Sequence, residues 1–271
     1  MIKAAFFDID GTLLSFRTHR VSAGTVRAFD TLHRHGVRTF LSTGRPEVLI
    51  PPMPVSFEGY ITMNGGLVFV DVDKLDVDKL KVDKLGKRRI NLVSNPIPAG
   101  DQEAWLDYAQ RNNISTMIFT REGMMGAQVN ETALRLRDQL EFEMPPIVSI
   151  EEMRRQEAYQ IIAVMPPECD SEVQGLMGAC RLPRWTPVFT DIVAAGNSKA
   201  VGMEAICRHF GIKQEETLAF GDGGNDVEML QWAGIGVAMG NAADDVKAVA
   251  DKVTADVDHE GIEEAVKELF A

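Results

Sequence analysis

The chain has 271 residues, 45% hydrophobic and 25% charged, so it can bury a sizeable core and is neither fibrous nor disordered in composition. Its formal net charge of -12 disfavours nucleic acid and anionic membranes as partners, while leaving room for a phosphate held by a metal ion and a few local donors. Three cysteines, Cys169, Cys180 and Cys207, share no ligand spacing, which argues against a disulfide framework or a zinc site and fits a reducing cytoplasm.

Residues 1–7 meet Asp8 and Asp10 too soon to form a secretion signal, and no apolar run reaches membrane-spanning length. Residues 2–7 read as a buried strand ending at Asp8, and Gly11 frees the turn that follows. Ser22 caps a helix with Val26, Phe29 and Leu32 on one face, and Gly36 stops it before a strand at 37–41. Such a strand, helix, strand unit makes a right-handed crossover between parallel strands, and ligands gather at the carboxyl ends of those strands. Pro46 is expected to open a further helix.

Residues 72–85 spell Val-Asp-Lys-Leu three times at a period of five, which fits neither a strand nor a helix. A solvated hairpin extension is the expected reading, in preference to an acidic loop that binds calcium or a partner. From about 86 to 187 the pattern changes to helices, at 102–112 and 132–140, interspersed with short strands and prolines. The strand and helix alternation then returns, with strands at 217–220 and 235–239, a helix after Asn225 and another at about 242–250. The expected fold is α/β: a doubly wound, Rossmann-like parallel sheet formed by 1–85 and 188–271, with a smaller α+β domain of 86–187 inserted.

Four strand ends carry chemistry. Asp8-Ile9-Asp10-Gly11-Thr12 puts two carboxylates on one side of a strand end, where one can attack phosphorus and the other can move protons. Ser42-Thr43-Gly44-Arg45 offers a hydroxyl, backbone amides and a guanidinium to phosphate oxygens. Lys199 opens a helix, where a cation opposes the macrodipole unless an anion sits beside it. In Gly221-Asp222-Gly223-Gly224-Asn225-Asp226 a flexible turn carries hard oxygen ligands suited to magnesium. Each has a bland reading as a turn, a helix cap or a surface lysine, and it is their joint order that argues for a site.

In that order the four motifs resemble the haloacid dehalogenase superfamily. Asn64-Gly65-Gly66, Met239-Gly240-Asn241-Ala242 and Lys252-Val253-Thr254 look like its Cof-type branch, which carries a cap domain between the second and third motifs. The resemblance covers residues 1–70 and 188–271 by motif, and the insert by position and size. It implies that Asp8 is phosphorylated, that Asp10 is the general acid and base, and that Thr43 and Lys199 bind the transferring phosphoryl group, with Ser42 competing for Thr43's role. It also implies Mg2+ held by Asp8, the Asp10 carbonyl and Asp222, with Asp226 behind them. Gly44, Arg45, Asn64 and Asn225 complete the phosphate and substrate contacts. Ala200 stands where many relatives have glycine, and alanine also starts a helix well.

The leading expectation is a phosphatase of a small phosphorylated metabolite, such as a sugar phosphate. A phosphomutase of the same fold and a non-catalytic phosphoaspartate module compete with it. Asp10 and the large insert speak against the last, because a receiver needs neither a leaving-group acid nor a substrate lid. The methionines of the insert read as core filling before a substrate surface, and the five histidines show no ligand pairing.

Overall fold

The computed structural model describes residues 1–71, 88–140, 144–184 and 186–271, so the Val-Asp-Lys-Leu repeat at 72–85 and Trp185 lie outside the described residues. The chain divides into two units: Met1–Gly44, Pro51–Ser94 and Ser198–Ala271 form the first, Arg45–Ile50 and Asn95–Asn197 the second. In chain order the first unit opens with β1 (Ala4–Phe7), α1 (Ala23–Arg34), β2 (Arg38–Ser42), β3 (Gly59–Thr62), β4 (Leu67–Asp71) and β5 (Arg89–Ser94). The second supplies α2 (Ala99–Asn112), β6 (Thr116–Phe119), β7 (Met124–Ala127), α3 (Glu131–Leu140), α4 (Ile150–Met153), β8 (Gln160–Ala163), α5 (Asp170–Leu176), β9 (Cys180–Arg181) and β10 (Thr190–Ala194). The first unit resumes with α6 (Lys199–Phe210), β11 (Thr217–Gly221), α7 (Val227–Trp232), β12 (Ile235–Ala238), α8 (Asp244–Lys247), β13 (Lys252–Val253) and α9 (Gly261–Leu269).

The first unit is built on an eight-stranded sheet in the order β13-β12-β11-β1-β2-β3-β4-β5. Pairing is parallel from β13 to β3, and β4 and β5 add antiparallel strands at the edge. The four residues of β1 are fully buried, as a central strand covered by helices on both faces requires. On one face Phe7 stacks on Phe220 at 5.1 Å and meets Phe29 of α1 at 4.7 Å. On the other, Phe6 and Phe40 join Met203 and Ile206 of α6 and Met229 of α7 in one core cluster. Each such side chain contributes about 1.5–3 kcal/mol by leaving water. Ser22 caps α1 by accepting from the Thr25 amide at 3.0 Å, worth about 1 kcal/mol. On the outer surface Arg27 of α1 grips Glu263 of α9 through two hydrogen bonds, at 2.8 and 2.7 Å.

The second unit holds a five-stranded antiparallel sheet, β7-β6-β8-β10-β9. One face packs Ile118, Ile161 and Ile192 against Trp105 and Leu106 of α2 and Val173 of α5. The Trp105 indole donates to Thr116 Oγ1 at 2.9 Å, so its buried N–H is satisfied.

Three expectations are corrected. The insert runs from Asn95 to Asn197 rather than from 86 to 187, because β5 pairs with β4 in the first sheet and β10 pairs with β8 in the second. No full helix follows Pro46: Glu47–Leu49 form a single 3-10 turn, which the prolines at 51, 52 and 54 prevent from continuing. The helix expected at 242–250 shrinks to Asp244–Lys247.

The two ends of the insert are tied to each other. Asn95 Nδ2 donates to Asn197 Oδ1 at 2.8 Å, and Asn197 Nδ2 donates back to the Asn95 carbonyl at 2.9 Å. Arg181 Nη2 adds a bond to the Asn197 carbonyl at 2.5 Å. No helix among the described residues is long and apolar enough to cross a membrane.

Candidate active site

Asp8 follows β1 directly, in the middle of the parallel sheet, and Asp222 follows the neighbouring β11. Parallel register therefore brings their strand ends side by side, where an open α/β sheet places its ligand. The turn after Asp8 is tight: Leu13 and Leu14 amides both return to the Ile9 carbonyl, and Gly11 donates to the Leu14 carbonyl at 2.9 Å. Gly11 has φ +83, and a Cβ there would lie 2.1 Å from Asp222 Oδ2. Only glycine permits both the left-handed backbone and this approach.

Lys199 is the first residue of α6, capped by Ser198, and it is 1% exposed. Its ammonium donates to Asp8 Oδ1 at 2.5 Å and to Asp226 Oδ1 at 2.6 Å. The cation that looked misplaced at a helix start thus has two buried carboxylates as partners. Asp226 is fully buried, and its second oxygen accepts from the amides of Asp222 and Gly223, at 3.0 and 2.9 Å. Both of its oxygens are engaged, so Asp226 organises the Asp222 turn and holds Lys199 rather than facing a ligand.

The carboxylates of Asp8, Asp222 and Asp226 offer oxygens within 4.8 Å of one another. Burial pushes the Asp8 carboxyl well above the usual carboxylate range; Lys199 opposes the shift, and Asp226 and Asp222 add to it. Burial likewise lifts Asp222 to about 7, against the bond from Thr12 and the charge of Lys199, with Asp226 and Asp10 raising it further. Burial works against the charge on Lys199, but Asp226 and Asp8 override it and hold the ammonium above the ordinary lysine value. One lysine among Asp8, Asp10, Asp222 and Asp226 leaves negative charge uncompensated. Hard oxygen donors with an excess of negative charge fit a divalent cation.

The remaining expected residues fall into two groups. Thr43 is buried, its amide donates to the Ile61 carbonyl at 2.8 Å, and its carbonyl accepts from the Asn64 amide at 3.1 Å. Asn64 adopts φ 53 and accepts from Asn225 Nδ2 at 3.0 Å, and both amides flank Gly44, where a Cβ would lie 3.3 Å from Asn64 Nδ2. Thr43, Gly44, Asn64 and Asn225 therefore form one polar group at the ends of β2, β3 and β11. Asp10 stays partly exposed beside the turn, in a bridge with Leu14. Arg45 belongs by its packing to the second unit, where Nη1 donates to the Leu49 carbonyl at 2.9 Å.

Two residues of this cluster lie in motifs quoted from the sequence but were given no role there. Thr12 Oγ1 donates to Asp222 Oδ1 at 2.7 Å. Asn241 Nδ2 donates to Asp222 Oδ2 at 3.1 Å and to the Gly11 carbonyl at 2.9 Å, stitching three strand ends together. Asn241 lies just beyond the end of β12, where the rule of inspecting every strand end would have given it a role.

Comparison with known proteins shows the family. Residues 5–266 match the family model of haloacid dehalogenase-like hydrolases. The HMP-PP phosphatase of Serratia proteamaculans is 29% identical over 92% of this chain and 88% of its own length, and YkrA of Bacillus subtilis 29% over 98% and 97%. Among solved structures, the subclass IIB sugar phosphatase BT4131 superposes with a TM-score of 0.83 at 38% identity over 98% of each chain. The phosphatase BT1666 of Bacteroides thetaiotaomicron gives 0.85 at 34%, covering 99% of this chain and 95% of its own. The chain belongs to the haloacid dehalogenase-like hydrolases, as a Cof-type phosphatase of phosphoric monoesters.

Proposed function

We propose that the chain is a magnesium-dependent phosphatase of a small phosphomonoester, with Asp8 as nucleophile and Asp10 as general acid and base. What carries the reading is the Lys199 ammonium held between Asp8 and Asp226 beside Asp222: one cation aimed at the carboxylate that would receive phosphorus. Magnesium would be held by the Asp8 carboxylate, the Asp10 carbonyl and the Asp222 carboxylate, and when bound it offsets the repulsion between these carboxylates and a phosphoryl dianion.

An Asp8 oxygen attacks phosphorus and forms an acyl phosphate as the ester bond breaks. Asp10 gives its proton to the departing alkoxide, then takes one from the water that hydrolyses the acyl phosphate and releases Asp8. Thr43, the Gly44 amide and Lys199 hold the phosphoryl oxygens through the transfer. Asn64 and Asn225 brace that pocket, Arg45 serves the substrate, and Asp226 keeps Lys199 in place. Similarity to a sugar phosphatase and to an HMP-PP phosphatase supports a small phosphorylated metabolite as substrate.

Phosphate release from an aryl phosphate tests this directly. Turnover is expected with magnesium, none with chelator, and none in Asp8→Asn under either condition. Full activity of Asp8→Asn would refute the nucleophile, and activity surviving chelation would refute the metal.

A further inference from the structure

Single exposed apolar side chains are ordinary on a protein surface, and most of those on this chain are aliphatic. Phe16 is the sole aromatic among the described large hydrophobic residues that stand exposed, with 64% of its surface accessible. It lies in the loop between β1 and α1, wholly inside the first unit. A Cβ built on Gly11 would lie 2.1 Å from Asp222 Oδ2 and 2.7 Å from Phe16 Cε2. One edge of the ring therefore borders the Asp222 carboxylate, while the rest of it meets solvent. The loop is held in this shape by its own bonds. Ser15 is buried, and its hydroxyl accepts from the amides of Arg17 and Thr18 at 3.0 and 3.1 Å. The His19 amide returns to the Ser15 carbonyl at 2.8 Å, and Arg17 reaches Asp258 at 3.4 Å. Such bonds fix a turn, so the exposure of Phe16 is a property of the folded loop rather than of a loose end.

A phenyl ring kept in water forgoes most of its hydrophobic gain, which returns when carbon surface covers it. What arrives at this place during the reaction is the organic part of the ester. On the phosphatase reading phosphorus comes to Asp8, whose carboxylate has an oxygen within 4.8 Å of one on Asp222, and Phe16 flanks that same Asp222. Atoms attached near the ester oxygen thus pass close to the ring. Phenylalanine has no hydrogen-bonding group, so it favours C–H surface and offers nothing to a hydroxyl. Building on the phosphatase reading, we infer that Phe16 is a specificity-determining residue whose exposed ring takes the carbon surface of the substrate's organic group next to the ester. The substrates it selects are phosphomonoesters with bulky C–H surface close to phosphorus.

The test pairs methyl phosphate with cyclohexylmethyl phosphate, two esters of primary alcohols whose chemistry is matched and whose carbon surface differs. Phe16→Ser is expected to lower the ratio of kcat/KM for the larger ester over the smaller by about tenfold, chiefly through KM, and Phe16→Leu to keep most of that ratio. Binding gives a readout that needs no turnover. In the Asp8→Asn protein with magnesium present, titration calorimetry is expected to show Phe16→Ser weakening cyclohexylmethyl phosphate about tenfold more than inorganic phosphate. Equal losses for both esters would make the ring a brace for Asp222 alone and overturn the inference, as would a ratio that Phe16→Ser leaves unchanged. Turnover that survives in Asp8→Asn strikes the phosphatase reading instead, and the calorimetric difference then still decides the role of Phe16.

Discussion

Gly11→Ala probes the site through a single methyl group. The native backbone has φ +83, and holding alanine in the left-handed region costs about 1–2 kcal/mol. The larger effect is positional. A Cβ at this point lies 2.1 Å from Asp222 Oδ2 and 2.7 Å from its Cγ, whereas ordinary contact begins near 3.4 Å. The gap must open by more than an ångström, and Asp222 cannot yield freely, because Thr12 and Asn241 hold its two oxygens. The turn after β1 and the Asp222 carboxylate therefore separate, and a displacement of about 1 Å in a reacting constellation costs on the order of a hundredfold in rate. The expected result is a kcat/KM about 100-fold below wild type, with weakened magnesium binding by titration calorimetry. The melting temperature should fall by about 2–4 °C for each kcal/mol of strain. Gly11→Ala with wild-type kcat/KM and magnesium affinity would refute the claim that the Gly11 and Asp222 contact sets the geometry of the site.

Three further outcomes follow from the same contacts. Lys199→Met leaves Asp8 and Asp226 buried without their cation, so urea unfolding is expected to show a loss of about 3–5 kcal/mol, and an unchanged midpoint would contradict the buried ion pairs. Thr12→Val removes the hydroxyl that orients Asp222 and is expected to weaken magnesium binding by about 10–100-fold; equal affinity would remove Thr12 from the site. Glu263 is held down to about 2 by Arg27 and then Lys267, so its contribution to stability is full above the ordinary value of 4.5 and fades as pH falls toward 2. Melting temperatures of wild type and Glu263→Gln are thus expected to converge across that window, and a constant difference down to pH 2 would argue against the clamp.

What could be read from the sequence is what local chemistry decides. Ser22 caps a helix because a hydroxyl ahead of an amphipathic run meets the first free amides. Asp8 and Asp222 were found because each follows a strand buried in the sheet centre. The insert boundaries were misjudged because nothing within β5 or β10 tells which sheet will pair with it. Asp226 was expected behind the metal ligands, but its particular partners were not legible, since its bonds to Lys199 and to the Asp222 turn exist only once α6 and β11 are adjacent. Asn241 joins Gly11 across 230 positions, a separation that no local pattern encodes.

The amide clasp between Asn95 and Asn197 makes the insert a module with coincident ends. A chain segment that leaves and returns at one point can be cut out and replaced by a short turn, or grown on its own from Asn95 to Asn197, without asking the remaining sheet to span a gap. Exchange of whole inserts between related chains, with the strand-end carboxylates left untouched, is then a recombination that this topology tolerates. New specificities could arise by transplantation as well as by point substitution.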